Sequence, residues 1–274
     1  MAPAAARNKT MSEQPANVRI LVALDESPSS AAALTAAAAL AVELGAELTG
    51  LFVEDINLHR LSSLPFAREF SVLTGTGNLL SPIEVERIWR REAGAIERLL
   101  AETAGRAQLR WSFRVRRGRV TAEVNTLAQA FDLIVLGRRT GVMTVVQTTA
   151  RLLEPQAKAG PVLVLFDDLP TSAHSLETGA MLARSNDAEL VLLINDGDEA
   201  AYHAACAAAQ SVLKARATAG RCVRLGGIEG ANLIQAARRE KAGCLVLAGR
   251  ERFLSRAGFE QMLDGIECPV VLAR

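Results

Sequence analysis

Several features that commonly announce a function are missing from this 274-residue chain. No apolar run reaches the roughly 18 to 20 residues needed to cross a bilayer. The Ala-rich stretch at 31–44 is broken by Thr35 and Glu43 and reads as a helix of a water-soluble protein. Net charge is nearly absent, with 31 basic against 30 acidic residues. That balance argues against a nucleic-acid or membrane-surface binder relying on bulk electrostatics. Cysteine is confined to Cys206, Cys222, Cys244 and Cys268, without any C-x-x-C spacing. Reduced, buried thiols in a cytoplasmic protein are expected, and neither a disulfide framework nor a zinc site. The three histidines, His59, His174 and His203, are scattered, and none receives a metal-binding or general-base role. A G-x-x-x-x-G-K-[ST] phosphate loop is absent. Gly75-Thr76-Gly77 lacks the third glycine and the preceding strand of a dinucleotide fingerprint. No Ser/His/Asp or Cys/His set can be assembled. Tyr202 and the two tryptophans read as packing groups.

What the chain does contain is a repeat. The segment Val18-Arg19-Ile20-Leu21-Val22-Ala23-Leu24-Asp25-Glu26-Ser27-Pro28 is echoed 142 residues later by Pro161-Val162-Leu163-Val164-Leu165-Phe166-Asp167-Asp168-Leu169-Pro170. Each is an apolar run ending in Asp, followed by a Pro-containing turn and a long Ala/Leu pattern. Gly45-Ala46-Glu47-Leu48 matches Asp187-Ala188-Glu189-Leu190 at the same offset. Late in each half, Leu133-Ile134-Val135-Leu136-Gly137-Arg138 matches Leu245-Val246-Leu247-Ala248-Gly249-Arg250 at an offset of 112. The change of offset localises a net insertion in the first half, assigned to 54–82. A repeat this long implies two copies of one domain, expected at 18–159 and 160–274 after a flexible tail at 1–17, with Met11 an alternative start.

The pattern along each copy alternates strand and helix. The short apolar runs at 18–24, 47–53 and 132–136 read as buried parallel strands. Between the first two lies a helix that Ser27 or Ser29 can cap, with Pro28 in its first turn and Gly45 at its end. The stretch 110–116 alternates Trp111, Phe113 and Val115 with Arg110, Ser112, Arg114 and Arg116, which suggests an edge strand with one wetter face. Edge exposure also accounts for the basic run that ends in Arg117 and Arg119. The second half is predicted to have strands at 161–166, 189–194, 221–225, 244–248 and 269–273. Its helices are predicted at 171–185, 198–217, 229–241 and 256–266. Gly226-Gly227 matches the position of Gly118 and reads as a plain turn. Only one strand-like run, 161–166, lies where two are needed. Domain one therefore lacks its fifth strand, or the two domains share one.

The Val-Ala-Leu-Asp25-Glu-Ser27-Pro28 turn, Gly118-Arg119-Val120, Leu-Ile-Val-Leu-Gly137-Arg138 and Cys268-Pro269-Val270-Val271-Leu272 together resemble universal stress proteins. The resemblance spans 18–274 as two tandem Rossmann-like α/β domains of the adenine nucleotide alpha hydrolase-like type. It implies open parallel sheets of order 3-2-1-4-5 with helices on both faces, and domains that pack through their fifth strands. In members that bind nucleotide it further implies an ATP site. Asp25 would lie at the adenosine end beside the backbone near Val53. A Gly-x-x-Gly-x9-Gly-Ser/Thr loop would cradle the phosphates on backbone N–H groups.

Both copies depart from that loop. The first has Gly137-Arg138-Arg139-Thr140-Gly141, with Thr148-Thr149 about where Gly-Ser/Thr should stand. The second has Gly249-Arg250-Glu251-Arg252-Phe253-Leu254, no later Gly-Ser pair, and a glutamate that would repel phosphate. The expected binding residues are therefore Asp25, Val53, Gly137, Arg138, Gly141, Thr148 and Thr149, forming a degenerate ATP or adenine-nucleotide site in domain one only. Asp25 reads equally well as the cap of the following helix, and Arg138 and Arg139 as solvated loop residues. The resulting expectation is a non-enzymatic, cytoplasmic stress-response regulator or binding module. It would be a monomer with an internal pseudo-dimer or a homodimer, with an unidentified protein partner. The alternatives are a pure interaction scaffold, with Val142 to Val146 as its interface, and a weak nucleotide-hydrolysing enzyme. The apolar insertion at 54–82, read as a long loop, would cover the pocket or bind a partner.

Overall fold

The computed structural model describes residues 18–25, 27–64, 68–70, 77–79, 81–137, 160–168, 171–195, 198–248, 253–254 and 258–274. The strands of the first half are β1 (Arg19–Leu24), β2 (Glu47–Asp55), a short hairpin β3 (Arg68–Phe70) and β4 (Gly77–Leu79), β5 (Trp111–Gly118) and β6 (Leu133–Leu136). Its helices are α1 (Pro28–Leu44), α2 (Ile56–Ser62), α3 (Pro82–Arg106) and α4 (Val120–Ala128). The second half has β7 (Val162–Phe166), β8 (Leu190–Ile194), β9 (Arg221–Arg224), β10 (Cys244–Leu247) and β11 (Val270–Ala273). Its helices are α5 (Ala173–Ser185), α6 (Glu199–Ala215), α7 (Gly230–Arg239) and α8 (Phe259–Gly265).

Local chemistry explains where α1 and α3 begin and end. Ser27 and Ser81 adopt extended backbone and accept hydrogen bonds from the N–H groups of Ser30 and Glu84, with Pro28 and Pro82 opening the two helices. Both prolines sit where their missing N–H costs nothing. Gly45 ends α1 at φ +61, and its repeat partner Asp187 ends α5 in the same left-handed conformation at φ +49. In α3 the buried residues Val85, Trp89, Ile96, Leu100 and Ala104 recur every three to four positions and form its inward face.

Among the described residues the main sheet runs β5-β2-β1-β6-β11-β10-β7-β8-β9. Read inward from either edge, each half has the order 3-2-1-4. All neighbours within a half are parallel. The one antiparallel pair described in this nine-stranded sheet is β6 with β11, Val271 standing opposite Val135 and Leu272 opposite Ile134. The fifth-strand position of the first half is thus filled by β11 of the second, which also pairs in parallel with β10. One strand serves both halves where two fifth strands were implied. Because the β6–β11 pair is antiparallel, the carboxyl ends of the two sets of strands point to opposite edges of the sheet.

Alternation along each strand feeds two cores, one per face. Ile20, Val22, Leu133, Val135, Val162, Val164, Cys244, Val246 and Val271 pack with α1, α3, α5 and α6. Leu21, Ala23, Ile134, Leu136, Leu163, Leu165, Leu245, Leu247 and Leu272 pack with α4, α7 and α8. Each core takes residues from both halves, and Arg184 on α5 pairs with Glu43 on α1 at 2.7 Å across the junction.

Three expectations are modified. The insertion carries the helix α2 and the β3–β4 hairpin, where a long loop was read. Strand β5 does lie at the sheet edge, yet its apolar side is also wet, with Trp111 and Val115 exposed. The strand-four correspondence shifts by one residue. Ile20 pairs with Leu133 and Val162 with Cys244. The N–H of Asp132 bonds Arg19 O as that of Gly243 bonds Pro161 O. The structural offset is therefore 111, and Gly137 corresponds to Ala248, not to Gly249. Burial explains the slip. Both strands are apolar throughout, so similarity alone cannot distinguish neighbouring registers.

Candidate functional site

In open α/β sheets ligands sit beyond the carboxyl ends of the strands, where the chain order reverses. In the first half that point lies between β1 and β6, and it gathers three of the expected residues. Leu24 pairs with Phe52, so Asp25 and Val53 follow side by side. Gly137 closes the third side, its N–H bonding Ala23 O at 3.2 Å. Val53 is buried, which leaves its backbone as the group to offer. Arg138, Gly141, Thr148 and Thr149 lie outside the described residues, as do Arg139 and the Val142 to Val146 segment.

Asp25 is built into the start of α1. Its Oδ1 accepts the Ser27 N–H at 2.8 Å and the Ser30 hydroxyl at 2.7 Å. The Asp25 N–H bonds Ser30 Oγ at 2.7 Å. The Ser27 hydroxyl donates to Gly137 O at 3.1 Å and also lies 2.9 Å from Ser29 Oγ. Strand one, helix one and the end of strand four are thereby tied together through three serines. Gly137 is required by this close approach: a Cβ there would stand 2.4 Å from Ala33 Cβ and 2.7 Å from Ser29 O. Such separations are far inside van der Waals contact, so any side chain would force the strand end away from the helix.

Among the described residues the second half repeats the bond between the strand-end backbone and a helix-start serine. The Asp167 N–H bonds Ser172 Oγ at 3.1 Å, which is the Asp25–Ser30 bond displaced by 142 residues. Ser172 is fully buried. Ser30 and Ser172 were not singled out from the sequence, although their common offset marks them. Ala248 stands where the first half has Gly137, so the close approach is not duplicated. Gly249, Arg250, Glu251 and Arg252 lie outside the described residues.

The remaining candidates disperse. His59 packs 6.1 Å from the Trp89 ring, and its buried Nδ1 has no hydrogen-bond partner among the described residues. His203 is exposed and pairs with Glu199 at 3.0 Å, one helical turn away, a carboxylate spacing that the sequence reading passed over. Arg117 joins Glu54 at 2.8 Å and lies over the Trp89 ring, which fastens β5 to β2 and α3. Arg119 joins Glu260 at 2.8 Å across the two halves, and the Thr121 hydroxyl bonds the same carboxylate. Those groups line a cavity of about 370 Å³ between α4 and α8, with Leu254 and Phe259 as its floor. Among the described residues no cluster of His, Cys, Asp and Glu could hold a metal ion, and no helix is long and apolar enough to cross a membrane.

Parallel strands of order 3-2-1-4 with helices on both faces define a Rossmann-like α/β protein. Residues 17–146 match the model of the universal stress protein family. The first half of the chain is therefore similar to that family, and the second half carries the same strand order. A universal stress protein from Archaeoglobus fulgidus DSM 4304 is similar in fold, with a TM-score of 0.52 at 13% identity over 93% of this chain and 96% of that one. A family member from Burkholderia pseudomallei is 24% identical over 43% of this chain and 98% of its own, with a TM-score of 0.33. An Archaeoglobus fulgidus universal stress protein solved in complex with dAMP is 16% identical over 43% of this chain and 100% of its own, with a TM-score of 0.36. No curated protein matches the chain significantly.

Proposed function

We propose that the chain is a cytoplasmic, non-enzymatic regulator or binding module whose first half holds an adenine nucleotide and whose second half serves as a scaffold. The observation that carries this reading is the meeting of Asp25, Val53 and Gly137 at the carboxyl ends of β1, β2 and β6, at the point where the strand order reverses. The groups present suit the nucleoside end of such a ligand. A carboxylate is held rigidly by Ser27 and Ser30, and backbone of β2 lies beside it. Phosphate contacts would fall to Arg138, Gly141, Thr148 and Thr149. Metal ligands form no part of the reading.

One observation favours a second reading, the pure scaffold. Asp25 Oδ1 already receives two hydrogen bonds from its own helix start, which is how a residue retained for capping behaves. Calorimetric titration of the wild type and of Asp25→Ala with ATP, ADP and AMP separates the two. Saturable binding that Asp25→Ala weakens supports the nucleotide site. Heat of dilution alone at millimolar nucleotide leaves the scaffold. Steady release of phosphate or pyrophosphate would instead make the chain an enzyme.

A further inference from the structure

At the far edge of the second half, one face of α6 lies over one face of the edge strand β9. Tyr202, Cys206 and Gln210 follow at intervals of four along the helix, and Arg224, Cys222 and Gly220 at intervals of two along the strand and its approach. The outer rungs of this ladder are observed directly. The Arg224 guanidinium sits 4.5 Å over the Tyr202 ring. At the other end, Gln210 Nε2 bonds Gly220 O and lies 3.9 Å from Cys222 Sγ. Four helical residues advance about 6 Å and two strand residues about 6.6 Å, so rungs that match at both ends also match in the middle. The middle rung is Cys206 against Cys222, which places the two thiols close enough to interact. Both cysteines are partly accessible, as is Cys268, whereas Cys244 is buried.

We propose that Cys206 and Cys222 are a built-in oxidation site, closing to an intramolecular disulfide when the protein meets a peroxide. The step balances. The Cys206 sulfur, as thiolate, attacks one peroxide oxygen, the O–O bond breaks, and a sulfenic acid and one water result. The Cys222 sulfur then displaces the hydroxyl as a second water and forms the S–S bond. Two thiols lose two electrons and two protons, and one peroxide is reduced to two waters. Cys206 is placed first because burial pushes the Cys222 thiol up to about 11, which keeps its thiolate scarce near neutral pH. Cys268, pushed up to about 12 by its own burial, and the enclosed Cys244 are internal controls. Closure would pin α6 to an edge strand that has a neighbour on one side only among the described residues.

The full chain is treated with hydrogen peroxide, alkylated under denaturing conditions and mapped after trypsin digestion. The expected product joins the peptide containing Cys206 to Cys222-Val223-Arg224, with Cys244 and Cys268 still alkylated and the cross-link reversed by dithiothreitol. Half of the four thiols should be lost per chain. Cys222→Ser should abolish the cross-link and carry Cys206 onward to sulfinic acid. Cys206→Ser should leave Cys222 reduced under the same exposure. Retention of all four thiols, oxidation of Cys206 in the wild type without the cross-link, or covalent dimers in its place would each overturn the proposal.

Discussion

The shared strand β11 makes a prediction that separates one cooperative sheet from two independent domains. Leu272 has no exposed surface and stands between Ile134 of the first half and Leu247 of the second. Leu272→Ala removes three carbons, worth about 2.4 kcal/mol of transfer free energy at roughly 0.8 kcal/mol each. The cavity left behind brings the expected cost to about 2–5 kcal/mol. With a urea slope of about 3 kcal/mol/M for a chain of this size, the midpoint should fall by about 1 M. The assay exploits the placement of the tryptophans. Both Trp89 and Trp111 lie in the first half, on α3 and β5, so their fluorescence reports on the half that does not contain the substitution. Far-UV circular dichroism reports on both. If β11 completes both halves, the two signals move together by the same amount. Val42→Ala, at a residue 57% exposed, should shift neither beyond about 0.5 kcal/mol. A fluorescence transition that stays at the wild-type midpoint while the dichroism curve splits would refute the shared-strand reasoning.

Two further outcomes follow from the caps and the charges. Ser30→Ala strands the Asp25 N–H and removes a bond to the Asp25 carboxylate, whereas Ser172→Ala strands only the Asp167 N–H among the bonds described for that hydroxyl. Each should cost about 1–3 kcal/mol in urea titrations, with the first the larger; equal or inverted costs would count against the two-bond network. Glu240 is held below the usual carboxylate range by the Arg221 guanidinium, against a smaller opposing effect of burial. A depressed folded value means that its stabilisation is complete above the ordinary value of 4.5 and is lost as pH falls through the lower folded value. Thermal melts of Glu240→Gln between pH 3 and 6 should therefore show a shallower acid loss than the wild type, and parallel curves would show that the pair contributes nothing.

Much of this architecture was legible in the chain. The apolar runs ending in Asp25 and Asp167 are both strand ends, Ser27-Pro28 opens α1, and Gly45 and its repeat partner Asp187 both close helices. These features are local: an N-cap, a fixed proline φ or a left-handed turn is specified within a few residues. The sharing of β11 was legible as a shortage, since only one apolar run, 161–166, occupies the place of two. The bonds that Ser30 and Ser172 make were not legible from hydropathy, which assigns a serine at the start of a helix no particular partner; only their common offset marks them.

The residues alone thus determined the alternation of strands and helices, their caps and the doubling of the unit, because periodicity and turn chemistry act over short distances. Tertiary structure decided which edge Val270–Ala273 would join and in which direction. A strand apolar on both faces carries no label for its neighbour, and the choice falls to whatever edge remains open once the helices have covered the faces. It also decided the one-residue register that makes Ala248 the counterpart of Gly137, and it brought Cys206 towards Cys222. Each of these depends on distances between segments that packing of the two cores alone fixes.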